Sequence, residues 1–277
     1  MNIGIITDST SALNNEEQEK LRIDVVSLYV NKDDTFFKAT ELSREEYYRE
    51  LEIAKKIPKT SQPNPQDFQD VFEKRAGEFD ALIVPVISQA LSGTFDSAVL
   101  AADAVDIDVK VIDSKLINFG LEFLVRNLRN KINNNEEFDS LISYASDFYK
   151  QIKVMFSVDS LNYLYKGGRI GRAKALMGGL LNMKPVISLV EGELHPVASV
   201  RGNKKLIERI VELSLQSENR KLKRAGIVHV NREDDAKNIK NQLNEEYPDI
   251  NVFVKSAEPI VVTHLGPSAI GLFTEWI

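Results

Sequence analysis

Cysteine is missing altogether from this sequence. Its absence excludes disulfides, thiolate zinc sites, iron–sulfur clusters and cysteine nucleophiles. Histidine is scarce at three residues, and tryptophan occurs once. No apolar run approaches the ~20 residues needed to span a bilayer. Met1 to Ile6 runs straight into an apolar segment, without the basic stretch and long apolar region of a secretory leader. A cytoplasmic protein is the expectation. Neither Gly-x-Gly-x-x-Gly nor a Walker loop is present, which argues against a nucleotide- or phosphate-binding module. The formal net charge is −6, so no general nucleic-acid footprint is expected. What remains is a chain of 277 residues with ordinary apolar content and no low-complexity tract. That length allows one large domain or two ordinary ones and buries roughly three-quarters of the unfolded surface, so neither disulfides nor a metal are required for stability.

The first half alternates short β-rich runs with amphipathic stretches. Ile3–Thr7, Val25–Val30, Ala81–Ile87 and Val109–Ile112 read as strands. Ala81–Ile87 is apolar almost throughout, as a strand buried on both faces would be. Ser43 with Glu46 makes a capping box for a helix reaching about Lys56, and Asn64-Pro65 opens another. In 136–149, Phe138, Leu141, Ile142, Ala145, Phe148 and Tyr149 form one helical stripe. Strands alternating with helices predict a parallel sheet covered by helices. From about Lys153 the pattern changes. A strand at Val154–Val158, a loop at Lys166-Gly167-Gly168-Arg169 and a short helix over 173–182 lead to a hairpin of Val186–Val190 with Leu194–Val200. Helix (about 203–217), strand (Ala225–Val230), helix (232–246) and strand (Asn251–Val254) follow. The fold class is therefore α/β in two domains: residues 1–153 with a parallel sheet, and residues 154–277 of mixed α+β type. No linker separates them, and clefts between such domains are common ligand sites.

Four hydroxyl-rich segments each follow an apolar run: Asp8-Ser9-Thr10-Ser11, Thr60-Ser61-Gln62-Pro63, Ser88 to Thr94, and Asp113-Ser114-Lys115. In an open parallel sheet, loops at the carboxyl ends of the strands line the ligand crevice, and helix first turns attract anions. Gly93 after Ser92 lets backbone come close to a bound group. Any one segment alone is an ordinary helix cap, because Ser, Thr and Asp lead that list. Together they favour a site. His195 and His229 lie in expected strands and read as structural, whereas His264 sits in the loop His264-Leu265-Gly266-Pro267 and is able to donate to a carboxylate or acyl phosphate. Arg169 and Arg172, flanked by glycines, suit phosphate recognition or docking of an acidic partner. A serine hydrolase with Ser92 as nucleophile, His264 as base and Asp8 or Asp113 as orienter is the alternative, although no Gly-x-Ser-x-Gly elbow is present.

In this order and at these separations, the segments resemble the DegV family along the whole chain. The pieces are Asp8-Ser9-Thr10-Ser11, Thr60-Ser61-Gln62-Pro63, Leu91-Ser92-Gly93-Thr94, Lys166-Gly167-Gly168-Arg169-Ile170, Lys184-Pro185 and His264-Leu265-Gly266-Pro267. The resemblance implies two α/β domains with a long-chain fatty acid buried between them, and a binding protein rather than an enzyme. In FakB-type members the carboxylate is held by the positions of Ser92, Thr60 and Ser61, with Gly93, His264 and Gly266 nearby. A separate, FakA-like fatty acid kinase then phosphorylates it with ATP to an acyl phosphate. Arg169, Arg172 and Arg201 match the docking and phosphotransfer surface. No cofactor, metal or nucleic acid is implied, and transient contact with a membrane surface is allowed.

Overall fold

The computed structural model describes residues 1–177, 183–217 and 219–277. They form two compact units: Met1–Glu41 with Thr60–Tyr149, and Leu42–Lys59 with Lys150–Ile277. The chain thus passes into the second unit at Leu42, returns to the first at Thr60, and enters the second again at Lys150.

The first unit is built on an all-parallel sheet. Its strands are β1 (Ile3–Asp8), β2 (Ile23–Val26), β6 (Ala81–Val86) and β7 (Asp108–Asp113) in the order β2-β1-β6-β7. Helix α1 (Asn15–Leu21) joins β1 to β2, and its Asn14 cap forms a full capping box with Glu17. A second, three-stranded sheet follows, with β3 (Tyr29–Lys32), β4 (Thr35–Lys38) and β5 (Lys59–Ser61) in the order β4-β3-β5. The expected strand Val25–Val30 is therefore split, because Ser27-Leu28 carries the chain from one sheet to the other. Between β4 and β5 the chain supplies α2 (Arg44–Ile53) to the second unit. Helix α3 (Pro65–Arg75) starts as its sequence predicts, with an Asn64–Asp67 capping box and Pro65 in the first turn.

The central strand β6 (Ala81–Val86) is buried at every residue. Phe68 and Phe72 of α3 pack over Leu82, Val84 and Val86, joined by Ala98 and Ala101 of α4 (Thr94–Ala102). Burying such a phenylalanine contributes about 1.5–3 kcal/mol. After β7 (Asp108–Asp113), α5 (Phe119–Asn133) packs on β1 and β6, and α6 (Phe138–Asp147) packs on β7.

The second unit holds a six-stranded mixed sheet in the order β10-β9-β8-β13-β11-β12. Its strands are β8 (Ile152–Val158), β9 (Lys184–Val190), β10 (Glu193–Val200), β11 (Leu222–Val230), β12 (Asn251–Ser256) and β13 (Ala269–Trp276). Helices α7 (Asn162–Lys166), α8 (Asn203–Leu215), α9 (Glu233–Glu246) and α10 (Pro259–Leu265) complete it. The β9–β10 hairpin turns on Glu191 and Gly192, both at positive φ, as a two-residue hairpin turn requires. Among the described residues of this sheet, only β11 and β12 run parallel, with α9 as their crossover.

Two features depart from expectation here. Strand β13, buried at all eight residues and central to the sheet, lies beyond the runs recognised as strands. The expected helix 173–182 is a 3-10 helix, Gly171–Leu176, where it is described, and its portion 178–182 lies outside the described residues. Helix α2 belongs to this unit for a packing reason. Tyr47 Oη and Thr263 Oγ1 share a buried hydrogen bond of 2.6 Å, and Tyr48 Oη donates to the Ala257 carbonyl.

Candidate functional site

The carboxyl edge of the parallel sheet is where the hydroxyl-rich segments meet. Strand β1 ends at Asp8, and its carboxylate turns inward. It accepts from Thr10 N at 2.8 Å, from Thr10 Oγ1 at 2.6 Å and from Ile87 N at 2.6 Å. Burial pushes this carboxyl above its ordinary pKa, and the hydrogen bonds from Thr10 and Ile87 pull back. On the other side, Asp113 Oδ1 accepts from Gln89 N at 3.1 Å and Lys115 N at 3.0 Å. Ser114 Oγ donates to the Val86 carbonyl at 2.6 Å, and Ser88 N donates to Leu116 O at 2.9 Å. The first and fourth segments are thus caps and braces. They hold the third.

That third segment is a tight turn between β6 and α4. Ser92 N donates to Ser88 O at 3.1 Å, and the buried Ser92 hydroxyl pairs with Thr94 Oγ1 at 2.8 Å. Gly93 is the N-cap of α4 and supplies no side-chain cap, and the first turn of a helix carries backbone N–H groups without intrahelical partners. The second segment is brought to the same place. Thr60 and Ser61, both half-buried, lie within β5 itself rather than in a loop beyond a strand. Gln62 follows them, and its Nε2 donates to Ser97 Oγ of α4 at 2.8 Å. The Gln62 amide also covers Gly93, where a Cβ would stand 2.8 Å from Gln62 Cδ. Within Thr60-Ser61-Gln62-Pro63 the residue types point to the hydroxyls and not to Gln62; the signal for Gln62 is the glycine at 93, which leaves the space it fills.

In the second unit, His264 lies in the last turn of α10 rather than in a loop; the helix ends at Leu265, and Gly266 caps it at φ +81. A side chain at Gly266 would strike the Tyr163 ring 2.6 Å away. His264 is half-buried against Gly167, in the loop that follows α7. Desolvation, helped by the Arg169 cation, pushes its imidazole down to about 4, so it is neutral at pH 7. The His264 motif and the Lys166–Arg169 loop are therefore brought together. Arg169 is half-buried, and its Nη1 donates to the Gly167 carbonyl at 2.7 Å. Burial lowers its pKa from the ordinary value. Arg172 is exposed with Glu193 3.2 Å away, and Arg201 is exposed just past β10. His195 and His229 lie in β10 and β11.

The triad of the hydrolase alternative gains no support from the first unit. Ser92, Asp8 and Asp113 bond Thr94, Thr10 with Ile87, and Gln89 with Lys115, and the unit contains no histidine. An open, charged cleft of about 560 Å³ in the second unit, near Arg44, Tyr48 and His229, contains none of the expected site residues. Among the described residues no helix is long and apolar enough to cross a membrane.

A parallel α/β unit with a braced hydroxyl turn at its carboxyl edge, and a mixed-sheet unit with a glycine-packed histidine, define the class. The chain belongs to the DegV family, described as "Uncharacterised protein, DegV family", which it matches over residues 2–275. A Thermotoga maritima protein described as a fatty acid-binding protein is 32% identical over 283 residues, covering 99% of this chain and 98% of its own. A fatty-acid-binding DegV-family protein from Thermus thermophilus superimposes with a TM-score of 0.94 at 30% identity, covering all of both chains. DegV of Bacillus subtilis, described as a fatty acid binding protein, gives a TM-score of 0.91 at 31% identity, again over all of both chains. The fold is the DegV fold.

Proposed function

We propose that this chain is a FakB-type carrier that binds a long-chain fatty acid and presents its carboxylate to a separate fatty acid kinase. The observation that carries this reading is kinship of about one residue in three, end to end, with proteins described as fatty acid-binding. The site chemistry supports it. An acyl chain gains ~0.8 kcal/mol per buried CH₂, enough for the chain to supply most of the affinity. A buried carboxylate needs hydrogen-bond donors, and hydroxyls with helix N–H groups supply them without a second buried charge. Ser92, Thr60 and Ser61 are assigned to the carboxylate, with Gly93 shaping the turn and His264 and Gly266 as further ligand-binding residues. Arg172 and Arg201 are assigned to kinase docking. Arg169 joins them as the arginine that also holds its loop through Gly167. The kinase transfers the terminal phosphoryl group of ATP to a carboxylate oxygen, giving an acyl phosphate and ADP.

The test has two stages. Organic extraction of purified protein, read by mass spectrometry, should release about one long-chain fatty acid per chain. Incubation with a fatty acid kinase, ATP and hydroxylamine should then yield the acyl hydroxamate. A chain that holds no fatty acid and takes up none when offered oleate would overturn the reading. Binding without hydroxamate would remove the kinase step alone.

A further inference from the structure

We propose that Gln62 is a positioning residue that sets the Thr60–Ser61 hydroxyls against the Ser92 turn; the inference rests on the fatty acid reading above and deepens it. Strand β5 is three residues long and lies at the edge of its sheet, so Thr60 and Ser61 have strand neighbours on one side only. Immediately after them, the Gln62 side chain reaches α4 and is held there through its amide nitrogen. Nε2 donates to Ser97 Oγ at 2.8 Å, while the amide lies over the bare Cα of Gly93. Ser97 is buried one turn into α4, and its N–H donates to Gly93 O at 3.2 Å. The amide therefore spans the first turn of the helix that Gly93 caps.

This contact has the form of a spacer. Gly93 carries no side chain, and the room so created is taken by the Gln62 amide. Its length sets how closely the end of β5 approaches the Ser92 turn. Hydrogen bonds weaken steeply with misplacement, so a carboxylate site built from hydroxyls on separate elements needs its spacing held by such a support. Gln62 is itself exposed and caps no helix, so the fold does not require it in the way it requires Asp8.

The prediction separates the carboxylate from the acyl chain. Affinities for oleate and for oleyl alcohol, which has the same tail and no carboxylate, are measured for wild type, Gln62→Ala, Ser97→Ala and the double variant. Gln62→Ala should weaken oleate binding about tenfold, the scale of one well-placed hydrogen bond, and leave oleyl alcohol within about twofold. Ser97→Ala, which removes only the anchor of the amide, should weaken oleate in the same direction. The double variant should be no weaker than Gln62→Ala, because both changes break one coupled pair. Equal losses for acid and alcohol, or independent effects of the two substitutions, overturn the inference as a general structural effect. Wild-type binding of oleate with Gln62→Ala unaltered overturns the inference alone, whereas a wild-type chain that binds no oleate overturns the fatty acid reading and this inference with it. Circular dichroism checks folding, and Ser97→Ala keeps the test decisive if Gln62→Ala does not fold.

Discussion

The imidazole of His264 rests on the bare Cα of Gly167. A Cβ there would stand 2.8 Å from His264 Cε1 and 3.0 Å from the Tyr163 carbonyl, yet Gly167 has an ordinary helical φ of −75°. Its glycine is a matter of space. Gly168 is the reverse case, with φ +72 and nothing within 4 Å of a built Cβ. Two neighbouring glycines thus serve two different physical needs.

Gly167→Ala should therefore displace the His264 ring, and Gly168→Ala should not. The Gly168 variant carries the left-handed backbone penalty of roughly 1–2 kcal/mol and little else. Imidazole NMR resonances separate the two effects. A Gly167→Ala spectrum in which His264 keeps its wild-type shifts would show that the ring does not depend on this space.

His264 also predicts a pH dependence. Its imidazole is lowered from the ordinary 6.5 to about 4 by desolvation and the neighbouring Arg169 cation. The unfolded chain therefore takes up this proton first as pH falls. The sign follows: the stability His264 contributes is fully present above pH 6.5 and is lost as pH falls toward 4, after which the loss levels off. Urea melts of wild type and His264→Gln across pH 4–7 isolate this contribution, since other titrations are shared. The wild-type advantage should shrink as pH falls; a constant difference would mean that the histidine titrates normally.

How much of this was readable in advance varies by element. Strand ends at Asp8 and Asp113, the buried run of β6, the Asn64-Pro65 helix start and the Glu191-Gly192 hairpin all declare themselves locally, through caps, turn residues and side-chain period. Strand β13 does not. Its Glu275 looks like a surface residue, but Lys223 and Arg224 on the neighbouring strand pair with it and allow its full burial. The assignment of α2 to the second unit rests on Tyr47 meeting Thr263 and Tyr48 meeting Ala257, more than 200 residues away. Helix α5 is buried on most sides, including at Glu122 and Arg129, which as residue types read as surface. In the candidate site, the motif residues are visible as residue types, whereas the division between bracing residues and those proposed to bind is not. That division depends on which backbone N–H each carboxylate reaches.

Ser92 offers the most direct test of a binding group. Its hydroxyl is buried and shared with Thr94 Oγ1. Ser92→Ala should keep the fold but weaken fatty acid retention by about 1–3 kcal/mol, the cost of leaving a buried acceptor without its donor. Competition between oleate and a fluorescent fatty acid measures this. Wild-type affinity in Ser92→Ala would remove the serine from its assigned role.

Asp8 should respond in the opposite manner, through stability rather than affinity alone. Its two oxygens accept from Thr10 and Ile87, so every contact demands an acceptor. Asn at this position keeps one acceptor and turns an N–H₂ group toward either Ile87 N–H or the Thr10 donors. Burial raises the Asp8 pKa, which by itself makes the charged form costly: that contribution favours the fold below the ordinary carboxylate pKa and fades as pH rises through the raised value. Neutralisation would thus help if charge were the whole effect. The opposed donors outweigh it, because an unsatisfied buried polar group costs about 1–3 kcal/mol. Asp8→Asn should therefore lose stability at pH 7 in urea melts, with the Ser88–Ser92 turn loosened in hydrogen exchange. A variant as stable as wild type, or more so, would make Asp8 a tolerated buried charge rather than the brace of the Ser92 turn.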